Sequence, residues 1–266
     1  MSRKPRPARP SRPGPSYRLA MFDRDFLLGD SMRGMRLQME YKKTEEALLA
    51  WGVRSTIVVF GGARVREGGT GGHAAWYEEA RRFGRIASER GGALRNSDGV
   101  RDNVIATGGG PGIMEAASRG AREAGAPSVG FNIRLPHEQA PNRYTTPDLT
   151  FQFHYFAIRK FHLAMRANAL VVFPGGFGTL DELFELLTLR QTGRMRPTPI
   201  VLVDAEYWRR IINWEALVEA GVISPEDIDL VSFVANAAEA WAVLEEAGVA
   251  REEVAAAPSL PSPDSA

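Results

Sequence analysis

The sequence contains no cysteine. Disulfide bonds, thiolate metal sites and a cysteine nucleophile are therefore excluded, and nothing indicates an oxidising compartment. No stretch is long and apolar enough to suggest a membrane span. The basic amino terminus also lacks the apolar segment of a signal peptide. We therefore expect a cytoplasmic protein that has no membrane partner.

An excess of one charge is also lacking, because 33 Lys and Arg residues face 32 Asp and Glu residues, for a formal net charge of +1. A broad nucleic-acid interface needs clustered positive charge, so we do not expect nucleic acid as a partner. The only feature that would support nucleic-acid binding is the Arg-, Lys- and Pro-rich segment 1–16. That segment has too few apolar residues to fold, and we interpret it as a disordered, solvated tail. The Ala-, Pro- and Ser-rich segment 251–266 is predicted to be disordered as well.

What the sequence does contain is an alternation of apolar strand patterns with amphipathic helix patterns. It predicts a single domain over residues 17–250, which begins with a methionine-rich helix at 30–52. Such an alternation is typical of an α/β protein with a Rossmann-like, doubly wound, mainly parallel sheet and helices on both faces. One continuous helix is expected at 207–220. The predicted strands are 55–60, 103–107, 128–133, 169–173, 199–203 and 230–234.

Three of these strands run directly into glycine-rich turns, at residues 61–62, 108–112 and 175–178. The carboxyl ends of parallel strands share one edge of the sheet, which is where ligands bind in this class of fold. Glycine lets backbone N–H groups approach an anion, and the start of the following helix favours negative charge. A single turn of this kind could be no more than a tight connection. Three at one edge predict a site for a phosphorylated ligand.

The turns do not match the common nucleotide motifs. The first one reads Gly-Gly-Ala-Arg instead of Gly-x-Gly-x-x-Gly, and the second strand ends in glycines instead of an acidic residue. The Gly-x-x-x-x-Gly-Lys-Ser/Thr pattern is absent too. The four histidines show no metal-ligand spacing. We therefore expect a mononucleotide or sugar phosphate as the ligand, with no cofactor and no metal.

Residues 174–182, Pro-Gly-Gly-Phe-Gly-Thr-Leu-Asp-Glu, resemble the Pro-Gly-Gly-x-Gly-Thr-x-x-Glu motif of the Lonely Guy (LOG) family. Its members are cytokinin riboside 5′-monophosphate phosphoribohydrolases, long mislabelled as lysine decarboxylases. Residues 108–115 and 159–160 resemble two further motifs of that family, in the right order. Residues 135–139 resemble the bacterial long-form version of the loop between them. The resemblance extends from about residue 56 to residue 220.

The resemblance implies hydrolysis of the N-glycosidic bond of a nucleoside 5′-monophosphate, which gives a free base and ribose 5-phosphate. It implies that Arg159 and Glu182 are the catalytic pair. It also implies a homodimer or higher homo-oligomer, since sites in this family lie near a subunit interface. The substrate-binding positions carried over are Gly110, Glu138, Lys160, Gly175, Gly176, Phe177, Gly178, Thr179, Asp181 and Thr188.

The chemistry of these residue types suits the implied reaction. Glycosidic cleavage passes through an oxocarbenium-like state, which the carboxylate of Glu182 can stabilise while it activates water. Arg159 stays protonated and can stabilise the departing base. Residues 155–158 differ from the Met-His sequence of plant members, so prenylated adenine nucleotides, AMP and other purine monophosphates all remain open as substrates.

Two simpler interpretations also remain open. The acidic side chain of Glu182 could only stabilise the start of its helix. The protein could also be a non-catalytic nucleotide or molybdenum-cofactor carrier, which would need the glycine turns without the catalytic pair. His154 and His162, which flank the Arg-Lys pair in the sequence, are expected to be structural.

Overall fold

The computed structural model describes residues 14–94, 98–134 and 140–249. The two predicted tails lie outside the described residues, except for residues 14–16, where a short 3-10 turn begins. Segment 135–139, which includes Glu138, also lies outside them. No helix in the described ranges has the length and apolar character needed to cross a membrane.

The described residues form one seven-stranded sheet in the order β4-β3-β2-β1-β5-β6-β7, and every strand pair is parallel. The prediction of a Rossmann-like, doubly wound α/β fold is confirmed. The strand at 150–153 was not predicted, because its four residues form only a short pattern at the sheet edge. The strands are β1 (Thr56–Phe60), β2 (Val104–Thr107), β3 (Ser128–Ile133), β4 (Thr150–Phe153), β5 (Ala167–Val172), β6 (Ile200–Val203) and β7 (Val231–Val234).

The helices cover both faces of the sheet. The prediction of one continuous helix at 207–220 is wrong, because the chain is extended at Ile212 and a second helix starts after Asn213. The Asn213 side chain accepts a hydrogen bond from the Ala216 N–H at 3.0 Å, which caps the second helix. The helices are α1 (Arg24–Leu28), α2 (Arg33–Ala50), α3 (His73–Arg90), α4 (Ile113–Glu123), α5 (Phe156–Met165), α6 (Phe177–Gln191), α7 (Ala205–Ile211), α8 (Trp214–Glu219) and α9 (Ala237–Glu246).

The central strands are buried on both sides because their side chains alternate between two hydrophobic cores. Val58 and Leu170 point into a core that includes Leu163 of α5. Ile57 and Val171 point into the opposite core, which α3, α4 and α9 complete. Every residue of β1 and β5 is buried, as is typical of parallel strands covered on two faces. The two strands at the middle of the sheet are therefore a rigid base for the turns that follow them.

Helix α2 fixes both ends of α5, the helix that carries the predicted Arg-Lys pair. At the start of α5, the carboxylate of Glu40 accepts hydrogen bonds from the N–H groups of His154 at 2.9 Å and Tyr155 at 3.2 Å. Just past its end, Arg166 Nη2 lies 2.5 Å from Glu45 Oε1. Both groups of this second pair are mostly buried, so breaking it would leave a charge without compensation. The first long helix of the chain thus positions a helix of the site.

Candidate active site

The three glycine turns meet at one edge of the sheet, as predicted, because β2, β1 and β5 are neighbours. The Gly62 N–H of the first turn donates to Pro174 O at 2.9 Å. The Ile113 N–H, which follows the second turn, donates to Gly62 O at 3.3 Å. Strand order reverses between β1 and β5, and open α/β sheets bind ligands at the carboxyl end of such a switch point.

Arg159 and Glu182 touch each other at this edge. Arg159 Nη1 of α5 lies 2.9 Å from Glu182 Oε1 of α6. Arg159 Nε donates to the carbonyl oxygen of Phe131 on β3 at 2.7 Å. Arg159 is 9% exposed and Glu182 is 4% exposed. The structure therefore brings the two residues of the predicted catalytic pair into one buried, charge-assisted contact.

Burial dominates the electrostatics of this pair. Removal from water raises the pKa of the Glu182 carboxyl group, and the positive charges of Arg159 and Lys160 oppose that rise. Burial likewise lowers the pKa of Arg159, which its contact with Glu182 opposes. A guanidinium has an intrinsic pKa so high that it remains charged. A carboxyl group with a raised pKa can exchange a proton closer to neutral pH, which suits acid–base work.

The third nitrogen of the Arg159 guanidinium, Nη2, lies over the second glycine turn. A methyl group built on Gly108 would be 2.7 Å from this nitrogen and 2.9 Å from Met114 Sδ. Only glycine leaves this space free, so the close approach of Arg159 explains the glycine. Nη2 has no hydrogen-bond partner in the part of the chain that the structure describes. It is therefore a cationic donor that can serve a ligand at this edge.

The third glycine turn presents unpaired backbone donors. The N–H groups of Gly176, Phe177 and Gly178 have no hydrogen-bond partner within the ranges described, and the last two begin α6. Thr179 packs against Gly175, where a methyl group would lie 2.2 Å from its Oγ1. Consecutive free N–H groups at a helix start form an anion site. We refer to residues 175–178 as the phosphate turn.

Lys160 lies beside the pair and is held by other carboxylates. Its Nζ is 2.8 Å from Asp181 Oδ2 and 2.8 Å from Glu185 Oε2. These side chains line an open groove of about 530 Å³ between α5 and α6. Thr188 lines the same groove, and its hydroxyl donates to Phe184 O at 2.8 Å. Lys160, Asp181 and Thr188 therefore share a groove next to the buried pair.

Gly110 is held by a residue that sequence reasoning missed. The side chain of Asn142 donates to Gly110 O at 3.1 Å, and its backbone N–H donates to Gly109 O at 2.8 Å. The preceding Pro141 indicated a loop, but no local pattern links that loop to a turn thirty residues earlier. Sequence reasoning also missed Tyr207, whose hydroxyl donates to Gly175 O at 2.7 Å.

The roles of the predicted site residues remain predictions, and Glu138 lies outside the described residues. Among the described residues, no group of three or more His, Asp or Glu side chains is placed to hold a metal ion. What the arrangement offers chemically is a buried carboxylate and guanidinium next to an anion site.

Comparison with protein families and curated proteins gives consistent matches. A family model described as "Possible lysine decarboxylase" matches residues 114–244. The cytokinin riboside 5′-monophosphate phosphoribohydrolase LOG3 of Arabidopsis thaliana is 28% identical over 156 residues, which cover 58% of this chain and 71% of the relative. LOG7 of the same plant, described by the same activity, is 29% identical over 149 residues, covering 55% of this chain and 67% of the relative.

Solved structures share the fold at lower identity. The structural-genomics protein TM1055 has a TM-score of 0.50 and 22% identity, over 72% of this chain and 99% of that one. The molybdenum cofactor binding protein of the phototrophic bacterium Rippkaea orientalis has a TM-score of 0.50 and 17% identity, over 73% of this chain and 97% of that one. At such identities the likeness concerns the fold alone.

Proposed function

We propose that this member of the Lonely Guy family hydrolyses the N-glycosidic bond of a nucleoside 5′-monophosphate, which gives free base and ribose 5-phosphate. The substrate would be a cytokinin riboside 5′-monophosphate or AMP. The observation that carries the proposal is the buried contact between Arg159 and Glu182 at 2.9 Å, beside three glycine turns. The phosphate turn would bind the 5′-phosphate, and that remote binding energy would hold the ribose against the pair.

In this reaction Glu182 has two tasks. Its carboxylate stabilises the positive charge that develops on the ribose as the bond to the base breaks. It then accepts a proton from the water that attacks the anomeric carbon, and releases that proton to solvent. The base leaves with the bonding electrons and takes up a proton of its own. Arg159 Nη2, which has no protein partner in the described ranges, is available to stabilise the negative charge on the departing base.

A second candidate is a nucleotide or molybdenum-cofactor carrier without catalysis. It is favoured by the free N–H groups of the phosphate turn and by the fold shared with a molybdenum cofactor binding protein. The fold does not determine the function, and a carrier has no need of a buried Arg–Glu pair. The pair therefore supports the hydrolase over the carrier.

The test is release of free base from AMP and from isopentenyladenosine monophosphate by the purified protein. Glu182→Gln keeps the shape of the side chain and removes its charge. We expect kcat to fall by about 10²- to 10³-fold, as for the loss of one electrostatic stabiliser, while nucleotide binding persists. Glu219→Gln makes the same change at an exposed position on α8 and should leave kcat unchanged. Tight nucleotide binding without any base release would identify a carrier.

We also propose that the protein forms a homodimer or a higher homo-oligomer through α5 and α6. The proposal is supported by the exposed aromatic side chains of these two helices: Phe156 is 52% exposed, Phe161 46%, Phe177 93% and Phe184 40%. Exposed apolar patches of this kind are typical of protein interfaces. Sedimentation of the protein should show an oligomer, and a stable monomer at micromolar concentration would contradict the proposal.

A further inference from the structure

The carbonyl groups of residues 174–176, at the start of the phosphate turn, each accept a hydrogen bond. Pro174 O accepts the Gly62 N–H at 2.9 Å, and Gly176 O accepts the Thr179 N–H at 2.9 Å. Between them, Gly175 O accepts the hydroxyl of Tyr207 at 2.7 Å. The C=O and N–H of a trans peptide point in opposite directions. The N–H of the following residue therefore points away from the group that donates to each of these carbonyl oxygens.

The carbonyl groups of Pro174 and Gly176 accept hydrogen bonds from backbone N–H groups, whereas the Gly175 carbonyl accepts one from a side chain. Both residues that flank the Gly175–Gly176 peptide are glycines, so this peptide can rotate with little steric resistance. Its carbonyl is held by the hydroxyl of Tyr207 and its N–H has no partner in the described ranges. The Tyr207 hydroxyl thus decides where the Gly176 N–H points.

Tyr207 is itself held by Asp204, the residue before α7. Asp204 Oδ1 accepts the Tyr207 N–H at 3.0 Å, and its Oδ2 accepts the indole N–H of Trp76 at 2.7 Å. The indole also meets the Tyr207 ring edge-on, with the ring centroids 5.5 Å apart. Asp204 has φ of +70° and ψ of +77°, a conformation that non-glycine residues keep only where their surroundings enforce it.

We propose that Tyr207 is a positioning residue for the phosphate of the substrate, held in place by Asp204 and Trp76. Its hydroxyl fixes the Gly175–Gly176 peptide so that the Gly176 N–H faces the phosphate. This inference rests on the proposed function and adds a residue that touches neither Arg159 nor Glu182. Because the hydroxyl acts on phosphate binding, its loss should change affinity and leave the chemical step intact.

The test uses Tyr207→Phe, which removes the hydroxyl and keeps the ring. Binding of ribose 5-phosphate, measured by calorimetry, should weaken about five- to tenfold, as for the loss of one hydrogen bond. Adenine, which has no phosphate, should bind as it does to the wild type. The KM for AMP should rise by the same factor, and kcat should stay within about twofold, because the catalytic pair is unchanged.

Two further variants sharpen the result. Trp76→Phe removes the indole donor to Asp204 and should weaken ribose 5-phosphate binding in the same direction. Tyr41→Phe makes the same chemical change on α2, where the ring packs against Phe161 and His162, and should have no effect on binding.

The positioning role is wrong if Tyr207→Phe binds ribose 5-phosphate as tightly as the wild type. It is also wrong if adenine and ribose 5-phosphate lose affinity together with a lower melting temperature, since the hydroxyl would then support the whole site. If the wild type binds ribose 5-phosphate but releases no base from any nucleotide, the hydrolase proposal fails. The binding comparison still decides the role of Tyr207 in that case.

Discussion

A methyl group at Gly108 would test whether the position of the Arg159 guanidinium controls the rate. The Cβ of an alanine there would lie 2.7 Å from Arg159 Nη2, whereas an ordinary contact begins at 3.4 Å. The guanidinium must therefore move by about 0.7 Å, the difference between those two distances. The backbone of Gly108 is not in the left-handed region, so alanine adds no backbone strain there.

Arg159 cannot move freely, because it is attached at two points. Nε is 2.7 Å from Phe131 O and Nη1 is 2.9 Å from Glu182 Oε1, so a shift of the guanidinium stretches at least one of these contacts. Met114, the other neighbour, is flexible and yields easily. Misplacing a catalytic group by about 1 Å can slow a reaction about 10²-fold, and for the smaller shift we expect kcat to fall about ten- to hundredfold.

The assay is the initial rate of base release from AMP by wild-type protein and by Gly108→Ala. The KM should stay within about threefold, because the phosphate turn is not touched by the new methyl group. Gly34→Ala on α2 is the matched control, since a methyl group there meets nothing within 4 Å. An unchanged kcat in a Gly108→Ala protein of normal melting temperature would refute the idea that the guanidinium must be so placed.

Two predictions concern pH. The free energy of unfolding should fall by up to about 3 kcal/mol between pH 6.5 and pH 4. Burial lowers the pKa of His162 to about 4, an effect that Arg166 increases and Glu45 opposes. The unfolded state takes up the proton at the usual histidine pKa, so acidification favours unfolding. Urea titrations of wild type and His162→Phe measure this, and equal pH dependence in both would contradict it. The kcat for base release should fall on acidification at a pH above the usual carboxyl range, because burial raises the pKa of Glu182 and the proposed reaction needs its ionised form. A pH–rate profile with its acid limb at or below about 4.3 would be evidence against that role.

The sheet and the meeting of the turns could be predicted because both follow from local patterns. A strand such as β1 is a short, largely apolar run in the sequence. The parallel arrangement then places the carboxyl ends of all the strands at one edge of the sheet. The break at Asn213 was missed because a single side-chain cap overrides a helical pattern that otherwise continues. The contact between Tyr207 and Gly175 was missed for a different reason, because it joins residues from different elements and leaves no spacing in the sequence.

Burial within α5 could not be read from its sequence either. The apolar residues Phe161 and Met165 suggest the inner face, yet they are 46% and 38% exposed. The buried positions include Arg159 and His162. The guanidinium is buried because it crosses the end of the sheet to reach Phe131 and its partner on α6. The local pattern of hydrophobicity therefore does not predict burial where a charged side chain is held by partners on other elements.

The buried pair is difficult to explain as a structural device. Removing two ions from water costs several kcal/mol each, and well-packed apolar residues often stabilise a fold at least as well. The pair is attached to α5 and α6, whereas Tyr207 of α7 and Asp204 hold the phosphate turn. Under the proposed function, binding and chemistry would therefore be supported by different parts of the fold. Under the proposed mechanism, the carboxylate is kept in a buried site at that cost in order to meet the positive charge that develops on the ribose during the reaction.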